Sequence, residues 1–135
     1  MAVGLDTNVI ARIVLLDDPR QSRLALEHIA QLQKAGEQVA LCLPALLELE
    51  WVLRSRARLS KQQTVQVLKH LLEAGDLQID GEAILERALY SWENSSADFA
   101  ECMLLAQYQQ LGCRAMLTFD AKAARISGVE LVSTP

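Results

Sequence analysis

What most limits the folds open to this chain is an alternation: short apolar runs recur between longer segments of helical periodicity. The runs are residues 2–5 (Ala2-Val3-Gly4-Leu5), 39–43 (Val39-Ala40-Leu41-Cys42-Leu43), 77–79 and 115–119 (Ala115-Met116-Leu117-Thr118-Phe119). Each has the length of a strand buried on both faces, and such strands alternating with helices build βαβ units around a mostly parallel sheet. The expected class is α/β, a three-layer α/β/α domain with a mostly parallel central sheet. With 135 residues, no internal repeat, no low-complexity segment and no linker, the chain is expected to form one domain over residues 1–135.

Capping and breaking residues divide the helices. Val9, Ile10, Ile13 and Val14 predict a short helix that stops before Asp17-Asp18. Asp18 then caps a second helix, with Pro19 at its first position, Leu24, Ala25, Ile29 and Leu32 on its apolar face and Gly36 at its end. The strand at 39–43 runs through Pro44 into a helix over 45–56. Ser60 and Gln63 make a capping box for the next helix, which passes through Val65, Leu68, Leu71 and Leu72 to Gly75. After the strand at 77–79 come a helix over 82–91 and another over 98–111, capped by Ser95 or Ser96 and closed by Gly112. A strand at 115–118, a short helix after Asp120 and an edge strand at 130–132 complete the chain.

Composition excludes several classes. At 51% hydrophobic and 22% charged residues the chain is neither disordered nor fibrous. No apolar stretch reaches the roughly 18 residues of a membrane span, and Met1-Ala2-Val3-Gly4 lacks the basic opening of a signal peptide. A cytoplasmic protein with no membrane partner is expected. Cys42, Cys102 and Cys113 are widely spaced, without a Cys-x-x-Cys pair, and read as small apolar core residues. His28 and His70 have no second histidine at ligand spacing, which argues against zinc and against Cys or His nucleophilic chemistry. The net charge of −4 argues against a nucleic-acid coat protein. It leaves a nuclease open, because clustered carboxylates contribute heavily to that charge and bound cations offset them locally.

The acids stand at structural junctions. Asp6 ends the first apolar run and Asp120 the last; Glu48 lies just inside the helix after the second; Asp98 and Glu101 open a helix together. Parallel strands place their C-terminal ends on one edge, where ligands of open α/β sheets bind. Carboxylates gathered there repel one another unless a divalent cation with oxygen ligands offsets them. A purely structural reading competes, since Asp6, Asp98 and Asp120 each stand where aspartate caps a helix. Asp98 and Glu101 share a helix face, at a cost of a few tenths of a kcal/mol, which the N-terminal dipole offsets by about 0.3–1 kcal/mol.

Glu48 and Glu50 lie among Leu46, Leu47, Leu49, Trp51, Val52 and Leu53, a helix apolar nearly all round, where a buried unpaired glutamate is costly. The two are about 200° apart on the helical wheel, so at most one readily faces a site. Periodicity does not choose between them; Glu48, nearer the helix start, is favoured. The run Arg54, Arg56, Arg58 and Lys61 reads either as charge solvated near a helix C-terminus or as a phosphate-binding rim.

The series Asp6-Thr7-Asn8-Val9, Leu47-Glu48-Leu49-Glu50-Trp51-Val52-Leu53, Ala97-Asp98-Phe99-Ala100-Glu101 and Leu117-Thr118-Phe119-Asp120 resembles the PIN domain and, more narrowly, the VapC-type toxins of bacterial toxin–antitoxin pairs. The resemblance covers nearly the whole chain, in order. It implies a metal-dependent endoribonuclease, normally a homodimer, held inactive by a small VapB-type antitoxin. By position the family's acids fall on Asp6, Glu48, Asp98 or Glu101, and Asp120. One departure is visible: where many relatives carry aspartate, this chain has Glu101 before Cys102-Met103-Leu104-Leu105.

The implied chemistry is hydrolysis of RNA phosphodiester bonds with one or two Mg²⁺ or Mn²⁺ ions. Asp6 is the expected central ligand, Asp98, Glu101 and Asp120 complete the metal sites, and Glu48 holds a metal-bound water. Thr7, Asn8 and Thr118 are expected to orient these carboxylates, and Arg54, Arg56 and Arg58 are candidate RNA contacts. Two other readings compete. One is a non-catalytic PIN-like module that binds RNA or protein. The other is a different Mg²⁺ enzyme, a phosphatase or phosphoacceptor domain, against which stand the lack of an Asp-x-Asp spacing after Asp6 and of a P-loop.

Overall fold

A computed structural model describes residues 1–132. Its contacts divide the chain into two compact units, Met1–Asp80 and Gly81–Pro135. The first unit runs β1 (Ala2–Gly4), α1 (Thr7–Leu15), α2 (Pro19–Lys34), β2 (Gln38–Leu41), α3 (Leu43–Ser55), α4 (Lys61–Glu73) and β3 (Leu77–Ile79). Its strands form one parallel sheet in the order β1-β2-β3, with Val3 opposite Val39 and Val39 opposite Leu77. Central β2 buries Val39 and Leu41. Helices supply the rest of that core through Ile10 and Ala11 of α1, Leu46, Leu49 and Leu53 of α3, and Val65 and Leu68 of α4.

Local chemistry sets most helix ends as expected. Asp18 Oδ1 accepts from Gln21 N at 3.1 Å, with Pro19 in the first turn. Ser60 and Gln63 close both arms of their capping box. Helix α3 opens at Leu43, two residues before the expected start. Pro44 suits a first turn, its fixed φ being helical and its missing N–H being an orphan there in any case.

The first unit holds two non-glycine residues in the left-handed region, Leu16 (φ 54°) and Arg58 (φ 57°). Leu16 ends α1, donating its N–H to Arg12 O at 3.1 Å, with an exposed side chain. That conformation costs roughly 1–2 kcal/mol for a side-chain-bearing residue, against about 0.5–1 kcal/mol of extra backbone entropy for glycine. Leu16→Gly is therefore expected to stabilise the protein by about 0.5–1 kcal/mol. Urea unfolding checks this, and a lowered midpoint refutes it.

The second unit contains α5 (Glu82–Glu93), α6 (Phe99–Gln110), β4 (Met116–Thr118), a 3-10 turn at Ala123–Arg125, and β5 (Val129–Leu131), parallel to β4. Helices α5 and α6 pack on each other, burying Leu85, Ala88, Leu89 and Trp92 with Phe99, Cys102, Met103 and Ala106. The Trp92 and Phe99 rings lie 5.0 Å apart between centroids. Leu105, Ala123 and Val129 form a further cluster with Met116, Ala124 and Ile126. Helix α6 begins at Phe99 with Asp98 at its N-cap position, and Ser95 Oγ accepts from Ala97 N in the preceding turn.

The α/β class with parallel strands is as expected. Among the described residues the hydrogen-bonded ladders are one of three strands in the first unit and one of two strands in the second. Of the cysteines only Cys102 is a core residue; Cys42 and Cys113 are exposed, the first at the N-cap of α3 and the second just past the turn that ends α6. Among the described residues no helix is long and apolar enough to cross a membrane.

Candidate active site

Strand β1 ends at a carboxylate. Leu5 N still donates to Ala40 O (3.2 Å), so Asp6 is the next residue beyond the ladder. Its Oδ1 accepts from Val9 N at 3.1 Å and caps α1, so the structural role weighed for this residue is realised. Oδ2 takes no part in the cap. Asp6 and Asn8 also border a largely apolar cavity of about 470 Å³, whose walls include Leu24, Ile29 and Leu32 of α2. Thr7 is half-buried and Asn8 exposed.

Helix α3 separates its two glutamates. Glu50 is buried, and Arg54 Nε donates to its Oε2 at 2.8 Å one turn on, which compensates the charge. Glu48 is exposed. The basic run is partly engaged inside the chain: Arg54 serves Glu50, and the Arg56 guanidinium lies 5.4 Å from the centroid of the exposed Trp51 ring. Arg58 is exposed.

The second unit brings three acids into one electrostatic neighbourhood. Asp98 occupies the N-cap position of α6 with an extended backbone, yet its carboxylate makes no capping bond. Capping therefore does not account for it. Glu101, in the first turn of that helix, is half-buried, and its Oε2 is sealed from solvent without a hydrogen-bond partner. Asp120 follows β4 in a tight turn: its N–H donates to Thr118 Oγ1 (3.0 Å) and its Oδ1 accepts from Lys122 N (2.9 Å). Thr118 thus holds the backbone of Asp120, where an orienting contact to the carboxylate was expected.

The three acids perturb one another. Burial raises the Glu101 pKa above its ordinary 4.5; the Asp120 carboxyl, as hydrogen-bond partner and as like charge, raises it further, and the Asp98 charge adds to the push. Asp120 is held below its ordinary value, first by the Lys122 backbone N–H, then by the Glu101 carboxyl, the Ala123 N–H and the Lys122 ammonium, against an opposing desolvation. Carboxyls this near one another are stabilised by a proton or a cation that offsets the like charges.

Among the described residues, no three His, Cys, Asp or Glu side chains close on one point as a metal cage. Mg²⁺ needs no such cage, since it keeps several waters and takes one or two carboxylates plus substrate phosphates. The buried, unpartnered Glu101 Oε2 beside Asp120 is an oxygen donor of the required hard type, so the residues present fit such an ion.

The family model of the PIN domain matches residues 3–129, a span that crosses both units. The chain belongs to the PIN domain family. No curated protein and no solved structure matches the chain. PIN domains are generally metal-dependent nucleases, and this chain carries their nuclease-type fold.

The acid motifs do not mark Lys122, whose N–H and ammonium both bear on Asp120. The signal was available: an aspartate two residues before a backbone N–H in a polar turn is the pattern of an Asx turn. The unpartnered Glu101 oxygen near Asp120 leads to a stability prediction. In chelator near pH 8, Glu101→Gln is expected to raise the melting temperature by about 2–4 °C, because the amide removes a like charge and relieving an unsatisfied acceptor is worth roughly 1 kcal/mol. A lowered melting temperature in differential scanning calorimetry refutes this.

Proposed function

We propose that this PIN domain is a Mg²⁺- or Mn²⁺-dependent endoribonuclease and serves as the toxin of a VapC-type toxin–antitoxin pair. The observation that carries the reading is the Glu101–Asp120 carboxyl pair with its orphaned buried oxygen, in a chain of this family. When bound, a divalent cation supplies activation of water and stabilisation of charge on the leaving oxygen. The residues have distinct parts. Asp120 presents a carboxylate held by its turn, Glu101 offers a buried oxygen beside it, and Asp98 adds negative charge that would help retain a cation. The family's motifs alone add Asp6, as principal ligand, and Glu48, through water, to the proposed set of acids.

The toxin reading draws on the resemblance and on the apolar cavity of about 470 Å³ bordered by Asp6, which has the character of a groove for an apolar peptide segment with a basic residue directed at the acid. A homodimer in the cytoplasm, with a VapB-type antitoxin as partner, is part of the same reading. On α3 the exposed Trp51 and half-buried Val52 offer apolar surface for such a dimer, whereas Leu53, and Leu68 of α4, are core residues of the first unit.

A non-catalytic PIN module is the second reading, favoured by the engagement of Asp6 Oδ1 in the cap of α1. Cleavage of a fluorescent RNA in Mg²⁺ and in EDTA separates the two. The nuclease reading expects cuts in Mg²⁺ alone, leaving 5′-phosphate and 3′-hydroxyl ends; equal traces in both buffers overturn it. Bacterial growth undisturbed by expression of the chain would remove the toxin role.

A further inference from the structure

Beside the acids of the second unit lies a cavity of about 430 Å³ with a different chemistry. Two cations, Lys122 and Arg125, line it, together with the hydroxyls of Ser91, Ser96 and Ser127. Both basic side chains are exposed, and among the described residues neither forms an ion pair with an acid. Leu105 and Ile126 provide an apolar floor, and the Tyr90 ring, 72% exposed, stands at the rim. The C-terminal end of α5 would oppose an anion here, but its Tyr90 carbonyl already accepts from Asn94 N (3.1 Å) and Asn94 Nδ2 (2.8 Å). Lys122 belongs to both places: it lines this cavity, and its charge acts on Asp120.

We infer that this cavity is a nucleotide subsite for the single-stranded RNA on which the proposed nuclease acts, with a backbone phosphate between Lys122 and Arg125. The serine hydroxyls suit the ribose 2′-OH, which distinguishes RNA from DNA. Tyr90 offers a face on which a base can stack. The volume falls in the range of small-ligand sites and accommodates one nucleotide. The inference rests on the nuclease reading for the identity of the ligand, and it extends that reading from the acids to the strand beside them.

The test measures binding without turnover. A 5′-fluorescein-labelled 12-nucleotide RNA is titrated with the protein in EDTA, by anisotropy, over a series of salt concentrations. Lys122→Gln/Arg125→Gln is expected to raise Kd about tenfold and to lower the slope of log K against log salt by about 0.7, the value for the one phosphate that the pair holds. The control Arg20→Gln/Arg23→Gln, which removes the same charge from exposed positions of α2, is expected to change Kd less than about twofold. The same RNA sequence made as DNA should bind more weakly to the wild type. Should the double variant fail to fold, Arg125→Gln alone is expected to raise Kd about threefold and to lower the slope by less than about 0.7.

Unchanged Kd and slope in the cavity variant, or an equal loss in the control, overturn the subsite. Displacement of the RNA by millimolar inorganic phosphate as readily as by a mononucleotide also overturns it, because that reduces the cavity to an anion hole. Binding that depends on Lys122 and Arg125 in a protein that never cuts RNA would sink the nuclease reading and leave the subsite standing. Metal-dependent cutting with affinity indifferent to the pair would do the reverse.

Discussion

Asp6→Asn is expected to lower Mg²⁺-dependent RNA cleavage at least about a hundredfold, some 2.7 kcal/mol of lost transition-state stabilisation, while the melting temperature stays within about 2 °C of the wild type. The structure makes this substitution unusually clean. Asp6 Oδ1 caps α1 through Val9 N, and asparagine caps a helix as well as aspartate does. The exchange therefore keeps the cap and removes the charge. Loss of activity with the fold intact assigns Asp6 a role at the metal; wild-type turnover at saturating Mg²⁺ would reduce Asp6 to its capping role.

Saturating Mg²⁺ is expected to raise the melting temperature by roughly 5–10 °C, since an ion present at a hundredfold its Kd contributes about 2.7 kcal/mol to a folded state that alone binds it. The effect should disappear in Asp98→Asn/Glu101→Gln, and an equal rise in that variant places the ion elsewhere. The rise should also depend on pH. The folded-state pKa of Glu101 lies above its ordinary 4.5, so its favourable contribution in the metal-free protein is fully present below 4.5 and lost as pH rises through the raised value. A cation favours the ionised form, so the stabilisation by Mg²⁺ should grow with pH across that window. Asp120, whose pKa is lowered, contributes in the opposite sense: its stabilisation is present above its ordinary 3.8 and lost as pH falls through the lowered value. A Mg²⁺ effect that is flat with pH would detach the ion from Glu101.

Much of the fold was legible because it is set by local chemistry. The N-cap at Asp18 with Pro19, the Ser60–Gln63 capping box and the strand at 77–79 stand where their residue types require them. The parallel pairing in the first unit followed from the alternation of strands with helices long enough to cross over. Misplaced boundaries have equally local causes: at α3 a proline acceptable in the first turn lets the helix begin at Leu43, and at α6 the N-cap position falls to Asp98, with Ser95 capping only the preceding turn. The candidate site was legible as a set of positions. Its electrostatics were not, because Glu101 and Asp120 are separated by most of α6 and a strand, and sequence spacing says nothing about how close their oxygens come.

By itself, then, the sequence determined the element order, the parallel strands, the PIN family motifs and the placement of each acid at the end of a strand or the start of a helix, all consequences of periodicity, caps and turn residues acting over a few positions. Tertiary structure decided which chemistry each acid can do. It buried Glu50 against Arg54 and left Glu48 in solvent. It consumed one oxygen of Asp6 in a cap and left Asp98 uncapped. It set Glu101 against Asp120 with one oxygen unsatisfied, and opened a basic, hydroxyl-lined cavity beside them. Burial and proximity are properties of residues distant along the chain. Helical periodicity assigns a side chain to a face, and only the packing of that face determines whether the carboxylate meets water, an arginine or another carboxylate.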